Sequence, residues 1–435
     1  MTPSNYLKLL FILTVPVVLG AASSSAQEMV VDNEAGVGAR AMGMGGAYTS
    51  VANDISAVCY NPAGLSQIRR IEWNLGISVA QAKEKSLLAS RLGQPSLGTA
   101  TGAATTSAVS SFGGVLPIPT YRGSLVFAVA YNRVKDFDSD FRVNGYSDSW
   151  NGSLQAKSVD TGGLDQWSFA GAVDVSPNVS LGASLDYYKG DHTLDQKSVY
   201  WSESDKYGEM FYSGYTDHIS ALNLHTGMLL HTGNNLRLGL TLKLPIKYTI
   251  KTDYFDNWYA RKNTPFTLAE HVSSSSADTS DTSAGAFSYY VKSPLEMNFG
   301  LSWVFKGITL SGDVNYLDWS QATTDLKDPE YFYRNTMNWR IGAETAVPVV
   351  NAFIRAGYAS LPDPYTGYIY LNDRQKTSVS EKNRRDFLTL GVGFLLDPSM
   401  MLDAAFIHGF WSSVETPRTD ESTRTKFFLT LSYRM

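Results

Sequence analysis

The chain reads as an all-β transmembrane protein: an antiparallel outer-membrane β-barrel of about fourteen strands, with a helical hatch, or plug, formed by its own N-terminus inside the lumen. Three observations carry this expectation. An export signal opens the chain, the body breaks into segments of alternating polarity, and tight turns between them alternate with long polar loops.

The N-terminus decides the compartment. "MTPSNYLKLLFILTVPVVLGAASSSAQ" places Lys8 ahead of an apolar run over 9–19 and small residues ending at Ala26, which marks 1–26 as a secretory signal peptide cleaved before Gln27. No Cys follows that run, so a lipoprotein anchor is not expected, and Cys59, the sole cysteine, rules out an intrachain disulfide. The chain of 435 residues is 43% hydrophobic and 12% aromatic. Its mean hydropathy of -0.15 is too polar for a bundle of spanning helices. Aromatic enrichment with dilute hydrophobicity suits a barrel, because only every second residue of a strand faces lipid. With 36 basic and 41 acidic residues, a formal charge of -5 and no basic block, nothing points to a nucleic-acid partner.

The strands follow from residue 72 onward. In "NLRLGLTLKLPIK", Leu236, Leu238, Leu240, Leu242, Leu244 and Ile246 fall on one face, and Arg237, Gly239, Thr241, Lys243 and Lys247 on the other. "SLVFAVAY", "NVSLGASLDY" and "MNFGLSWVF" alternate in the same way. In "MNWRIGAE" the second face carries Asn338, Arg340, Gly342 and Glu344, which suit a wet lumen and neither lipid nor a dry core. Such segments lie near 72–81, 109–119, 124–134, 164–175, 178–189, 217–231, 234–250, 288–305, 307–317, 337–347, 350–359, 386–396, 399–410 and 425–435. Tight turns alternate with polar loops near 82–108, 135–163, 190–216, 251–287, 318–336, 360–385 and 411–424. That asymmetry is the periplasmic-turn, external-loop pattern of outer-membrane barrels, which a soluble sandwich has no reason to adopt. Trp73, Trp167, Tyr187, Trp303, Tyr316, Trp339 and Tyr433 are expected at the membrane interfaces.

Residues 27–71 precede the barrel, which is assigned to 72–435. They contain "GARAMGMGGAYTSVANDISAVCYNPAGL", in which Asp54 can cap a short helix over 55–59 that Asn61-Pro62 must end. Gly43, Gly45 and Gly46 permit sharp turns and close backbone approach. Such short, half-apolar helices cannot stand alone, but a barrel wall could enclose them. This block, with "LKLPIKYT", "DVNYLDWS", "WRIGAE" followed by "IRAGY", and a final strand "KFFLTLSYRM", resembles the outer-membrane long-chain fatty acid transporter family, the FadL/TodX/OMPP1 group.

The resemblance implies a fourteen-stranded barrel closed by an N-terminal hatch that carries an Asn-Pro-Ala motif, here Asn61, Pro62 and Ala63. Gly43, Gly45 and Gly46 would share its gating. It also implies passive uptake of hydrophobic compounds, long-chain fatty acids or aromatic hydrocarbons, with sideways release into outer-membrane lipid. The alternative reading is a FadL-like accessory barrel of a protein secretion system, whose partner would be an exported protein. Lumen-facing Arg237, Lys243, Lys247, Arg340 and Arg355 are candidates to meet a ligand carboxylate, or else to balance lumen acids such as Glu344. Gly113, Gly114, Pro117 and Pro119 are candidate places for a side opening.

No enzyme is expected. The sequence has no G-x-S-x-G elbow and its six histidines form no H-E-x-x-H pattern, so neither a catalytic metal nor another cofactor is expected. Gly36-Val37-Gly38-Ala39-Arg40-Ala41 matches a dinucleotide pattern formally, but no parallel-sheet unit follows it.

Overall fold

The computed structural model describes residues 36–88, 98–147, 151–233, 235–326, 330–369, 377–380, 382–415 and 418–435; the expected signal peptide and the start of the hatch lie outside them. In chain order the strands are β1 (Glu72–Leu88), β2 (Gly98–Ile118), β3 (Leu125–Asp136), β4 (Ser139–Ser147), β5 (Gly152–Ser176), β6 (Val179–Ser202) and β7 (Tyr207–His231). They continue as β8 (Leu236–Lys243), β9 (Lys247–Lys262), β10 (Thr279–Lys292), β11 (Leu295–Phe305), β12 (Ile308–Asp318), β13 (Thr323–Thr324), β14 (Glu330–Tyr333) and β15 (Thr336–Val347). The last are β16 (Ala352–Pro362), β17 (Tyr365–Ile369), β18 (Thr377–Ser378), β19 (Arg384–Asp397), β20 (Met400–Glu415) and β21 (Arg418–Arg434).

Neighbours in sequence pair antiparallel, and β1 pairs with β21 from Glu72↔Arg434 to Leu88↔Arg418, so the sheet closes on itself. Four staves are interrupted: β3 continues as β4, β8 as β9, β10 as β11 and β12 as the two-residue β13. Counting each as one gives a closed barrel of fourteen. A separate small sheet, β14–β17–β18, lies within the external connections. Outward alternation is as the sequence requires: Trp73, Leu75, Ile77 and Val79 on β1 and Phe427, Leu429, Leu431 and Tyr433 on β21 are exposed.

Two expectations need correction. Strands are much longer than the periodic segments, so that 82–88, 98–108, 152–163, 190–202 and 207–216, expected as loop, are ladder. Above the lipid belt the outward positions become polar, as at Gln81, Lys83 and Lys85, and the alternation disappears while pairing persists. The second correction concerns Lys247. Pro245 has no N–H for the ladder, so β8 ends at Lys243 and β9 resumes one residue out of phase. Leu244 is 44% exposed on the outer face, yet Ile246 turns inward at 4% and Lys247 faces outside, its Nζ 4.3 Å from the Tyr290 ring centre.

The lumen is filled by residues 36–71, which form helix α1 (Ala39–Gly43), helix α2 (Ala57–Tyr60) and a 3-10 turn over Pro62–Gln67. Asp54 Oδ1 accepts from Ser56 N at 3.0 Å, and Asn61 adopts extended geometry (φ -157°) that ends α2. Gly45 and Gly46, at φ +67° and +74°, make a left-handed reversal that only glycine accommodates without strain.

The wall receives this segment on cross-strand glycine pairs. Gly182↔Gly227, Gly239↔Gly300 and Gly342↔Gly357 are opposed in register, and their missing side chains leave room for Asn61-Pro62-Ala63, Thr49-Ser50 and Met44-Gly45 respectively. A Cβ on Gly227 would collide with Asn61 Oδ1. Gly227→Val should therefore destabilise plug docking by about 1–3 kcal/mol. The barrel should still run as a heat-modifiable band, while residues 36–71 become cleavable by added protease.

Candidate functional site

The candidate site has three parts: the docked plug, a pocket above it and a break in the wall. Docking is ionic as well as steric. Arg40 of α1 holds Glu344 of β15 bidentately, Nε–Oε2 and Nη2–Oε1 both at 2.9 Å. Glu344 also accepts from Arg355 Nε at 2.6 Å, and Arg355 Nη1 reaches Asp403 at 2.6 Å. The chain thus alternates cation and anion in a buried setting, which is what lets these charges leave water. The Arg40 guanidinium also bonds Asn53, and Tyr48 Oη donates to Asp54 at 2.6 Å.

Backbone groups of the plug find wall partners too. Asp313 Oδ2 accepts from the amides of Tyr48 and Thr49, both at 2.8 Å. Glu72 joins Ile55 N (3.1 Å) to Arg434 Nε (2.7 Å) at the seam of the barrel. Asn61 is fully buried: its Nδ2 donates to Thr49 O (2.8 Å) and to Met228 O of β7 (3.1 Å), while its Oδ1 accepts from Ala63 N (3.1 Å). Asn61 thereby ties two plug turns to each other and to the wall. Pro62 supplies the first position of the 3-10 turn, where no N–H is needed.

Above the plug a cavity of about 180 Å³ is lined by apolar Met42, Leu164, Ile246, Leu361 and Phe387 and by polar Gln166, Lys243, Glu296, Asn298 and Arg340. Cys59 and Tyr60 of the plug form part of its lining. Burial pushes the Cys59 thiol up to about 12, with Asp186 adding to the shift and Lys243 opposing it. Glu296 is occupied by Asn298 (3.2 Å) and Asn315 (2.6 Å). Lys243 lies over Tyr188 (5.6 Å to the ring centre), and neither Lys243 nor Arg340 has a carboxylate within ion-pair distance among the described residues.

The five cations expected in the lumen thus separate. Lys243 and Arg340 line the cavity, whereas Arg355 is consumed by Glu344 and Asp403. Arg237 lies at the start of β8, beside the short turn and on its side of the plug contact at Gly239. Lys247 points away from the lumen. Gly43 and Gly45 lie against the wall at Gly391 and Tyr358, and Gly46 packs on Arg340.

The wall is interrupted between β2 and β3/β4. Ladder pairing runs from Ile118↔Leu125 to Ser111↔Asn132 and resumes only at Gly102↔Phe141, leaving 103–110 opposite 133–140 without backbone bonds. The cause lies in β3/β4. A bulge at Arg133/Lys135 and the inward turn of Phe137, whose N donates to Gly162 O at 3.0 Å, keep that stave with β5 and away from β2. The break therefore lies outward of Gly113, Gly114 and Pro117, where the ladder is intact. It is external to an outward aromatic cluster, Phe112, Tyr131 and Trp167, with ring centres 4.7–5.5 Å apart. Val134 and Lys135 line both the cavity and the break, so these two residues are what separates them.

Residues 16–433 match the family model described as outer membrane protein transport protein (OMPP1/FadL/TodX). The chain belongs to this family. Its fold is similar to that of a Pseudomonas aeruginosa FadL homologue, at 16% identity and TM-score 0.59 over 91% of this chain and 98% of that one. It is similar also to the P. putida toluene transporter TodX, at 13% identity and TM-score 0.58 over 93% and 99% of the two chains. The Ralstonia pickettii toluene transporter TbuX matches at 13% identity and TM-score 0.56, again over 93% and 99%. No curated protein matches the chain. Family and fold place this FadL/TodX-family barrel in the bacterial outer membrane, among transport channels rather than enzymes.

Reading the sequence for periodicity missed the wall break, the glycine pairs and Asp313, because each depends on which distant strands pair. Removing Glu344 tests the ionic dock. Glu344→Ala leaves Arg40 and Arg355 facing each other without their shared carboxylate, and should weaken plug docking by about 3–5 kcal/mol. The expected readout is a higher ion conductance in planar bilayers, with faster amide exchange over 36–71.

Proposed function

We propose that the protein takes up a hydrophobic compound bearing a carboxylate, a long-chain fatty acid or an aromatic acid, and releases it sideways through the β2–β3 break. The observation that carries this reading is the pair Lys243 and Arg340, two cations with no carboxylate within ion-pair distance among the described residues, on the wall of a cavity that also presents apolar Leu164, Ile246, Leu361 and Phe387. Each faces a wall carboxylate in register, Lys243 opposite Glu296 and Arg340 opposite Asp313, beyond direct pairing distance; an unsubstituted hydrocarbon offers them no closer partner, whereas a carboxylate would form charge-assisted hydrogen bonds with them while its tail covers Leu164, Ile246 and Phe387.

The ligand enters from the external mouth, and its apolar part exchanges water for the cavity wall. Residues 36–71 act as a hatch whose small displacements widen the path from cavity to break, with Asn61 as the tie that keeps its turns in the docked register these displacements require. Transport is diffusive, since the route is downhill for an amphiphile that partitions into lipid.

Two expected outcomes follow. Lys243→Met combined with Arg340→Met should weaken binding of laurate to the purified barrel by about 10–100-fold, the scale of losing charge-assisted hydrogen bonds. Toluene binding should not weaken; equal loss for both ligands would refute the carboxylate assignment. Asn61→Ala should reduce uptake while the barrel still assembles, and should accelerate alkylation of Cys59 at pH 8. In the docked plug the raised thiol pKa keeps sulfur protonated and slow to react, and loosening the hatch lowers it toward the ordinary value.

A further inference from the structure

The wall break is spanned by side chains, and their charges are unequal in a way that bears on what can pass. Thr106 Oγ1 of β2 donates to Asp138 Oδ2 at 2.5 Å, and Lys426 Nζ of β21 meets Asp136 Oδ2 at 2.9 Å. Lys426 reaches that far because its ladder neighbours on β1 and β2 are the small Ala80 and Thr106. Both members of the pair are largely buried, with side-chain exposures of 12% and 11%.

Asp136 has a second cation, since Arg133 Nε lies 3.1 Å from its Oδ1, and Arg133 itself is fixed by Asp165 (3.1 Å) and Gly162 O (2.9 Å). Asp138 has a second donor in Gly162 N at 3.1 Å. When the span opens, both aspartates therefore keep a partner on the β3/β5 side. Lys426 keeps none, because Asp136 is the sole carboxylate it pairs with among the described residues. A cation stranded in a partly buried port is costly unless an anion replaces the one it lost.

We infer that Lys426 is a second carboxylate-binding station, at the port itself, and that an amphiphilic monocarboxylate opens the port by exchanging for Asp136. The inference rests on the carboxylate reading of the cavity. The head group leaves Lys243 and Arg340, passes Val134 and Lys135, and is received by Lys426 while Asp136 falls back on Arg133. No bond other than hydrogen bonds and ion pairs is made or broken, and charge is conserved at every stage. A neutral hydrocarbon offers no such exchange, so the port favours the acid.

The test is transfer of laurate and of toluene by proteoliposomes carrying wild-type protein, Lys426→Met, Lys426→Arg or Asp136→Asn, with laurate binding to the detergent-purified barrel measured alongside. Lys426→Met should slow laurate transfer about tenfold, the scale of one charge-assisted bond, with laurate still bound in the cavity. Lys426→Arg should restore transfer. Toluene transfer should rise in both Lys426→Met and Asp136→Asn, because the span is then held by fewer contacts. Unchanged laurate transfer in Lys426→Met, or laurate and toluene falling together, overturns the station while leaving the cavity assignment intact. Absence of laurate binding to the wild-type protein overturns both.

Discussion

The structure depends on one steric constraint: a polypeptide must pass through the centre of a fourteen-stranded barrel and touch its wall with backbone. Side chains on both surfaces would hold the two apart and leave a water-filled ring. Cross-strand glycine pairs on β6–β7, β8–β11 and β15–β16 remove that spacing on the wall side, and Gly43, Gly45 and Gly46 remove it on the plug side. Once backbone meets backbone, the orphan polar groups of short helices find partners in the wall, as with Asp313 under Tyr48 and Thr49 and Met228 O beside Asn61. The charged chain from Arg40 to Asp403 then fixes the orientation of a segment already close-packed.

Blocking the axial path makes the wall break significant. The cavity lies on the plug and is separated from the break by Val134 and Lys135, so in the proposed route an amphiphile has only these side chains to pass before reaching the wall beside Phe112 and Tyr131. The same ladder that gives the barrel its stability is what must be forgone there. The protein replaces it with hydrogen-bonded and ionic side chains, which can separate without unravelling a strand. On the proposed route, stability and permeability fall to different parts of one sheet.

Much of this was legible in the residues. Period-two patterning placed all fourteen staves, because lipid demands apolar residues on alternate positions, and Asn61-Pro62 ended a short helix as its geometry requires. The outer strand ends were not legible, since water imposes no alternation on them. Lys247 was assigned to the wrong face because Pro245 shifts the phase by one residue, an event that the sequence permits without declaring. Gly239 and Gly342 could be placed on the inner face, but their opposition to Gly300 and Gly357 is a matter of register between distant segments. Lys243 and Arg340 could be named as lumen cations; that Arg355 would be neutralised depends on its lying between Glu344 of β15 and Asp403 of β20, a matter of register between strands. Lys426 and Asp136 meet only because two other staves between them carry small residues.

The most direct measurement of sideways release is uptake through a port that can be sewn shut. In a Cys59→Ser background, Thr106→Cys and Asp138→Cys place two thiols where a 2.5 Å hydrogen bond now spans the break. Under oxidising conditions, uptake of a labelled fatty acid by cells carrying this variant should stop, and a reductant should restore it. Undiminished uptake with the crosslink formed would mean that the ligand descends past the plug, and the account of a laterally emptied barrel would be contradicted.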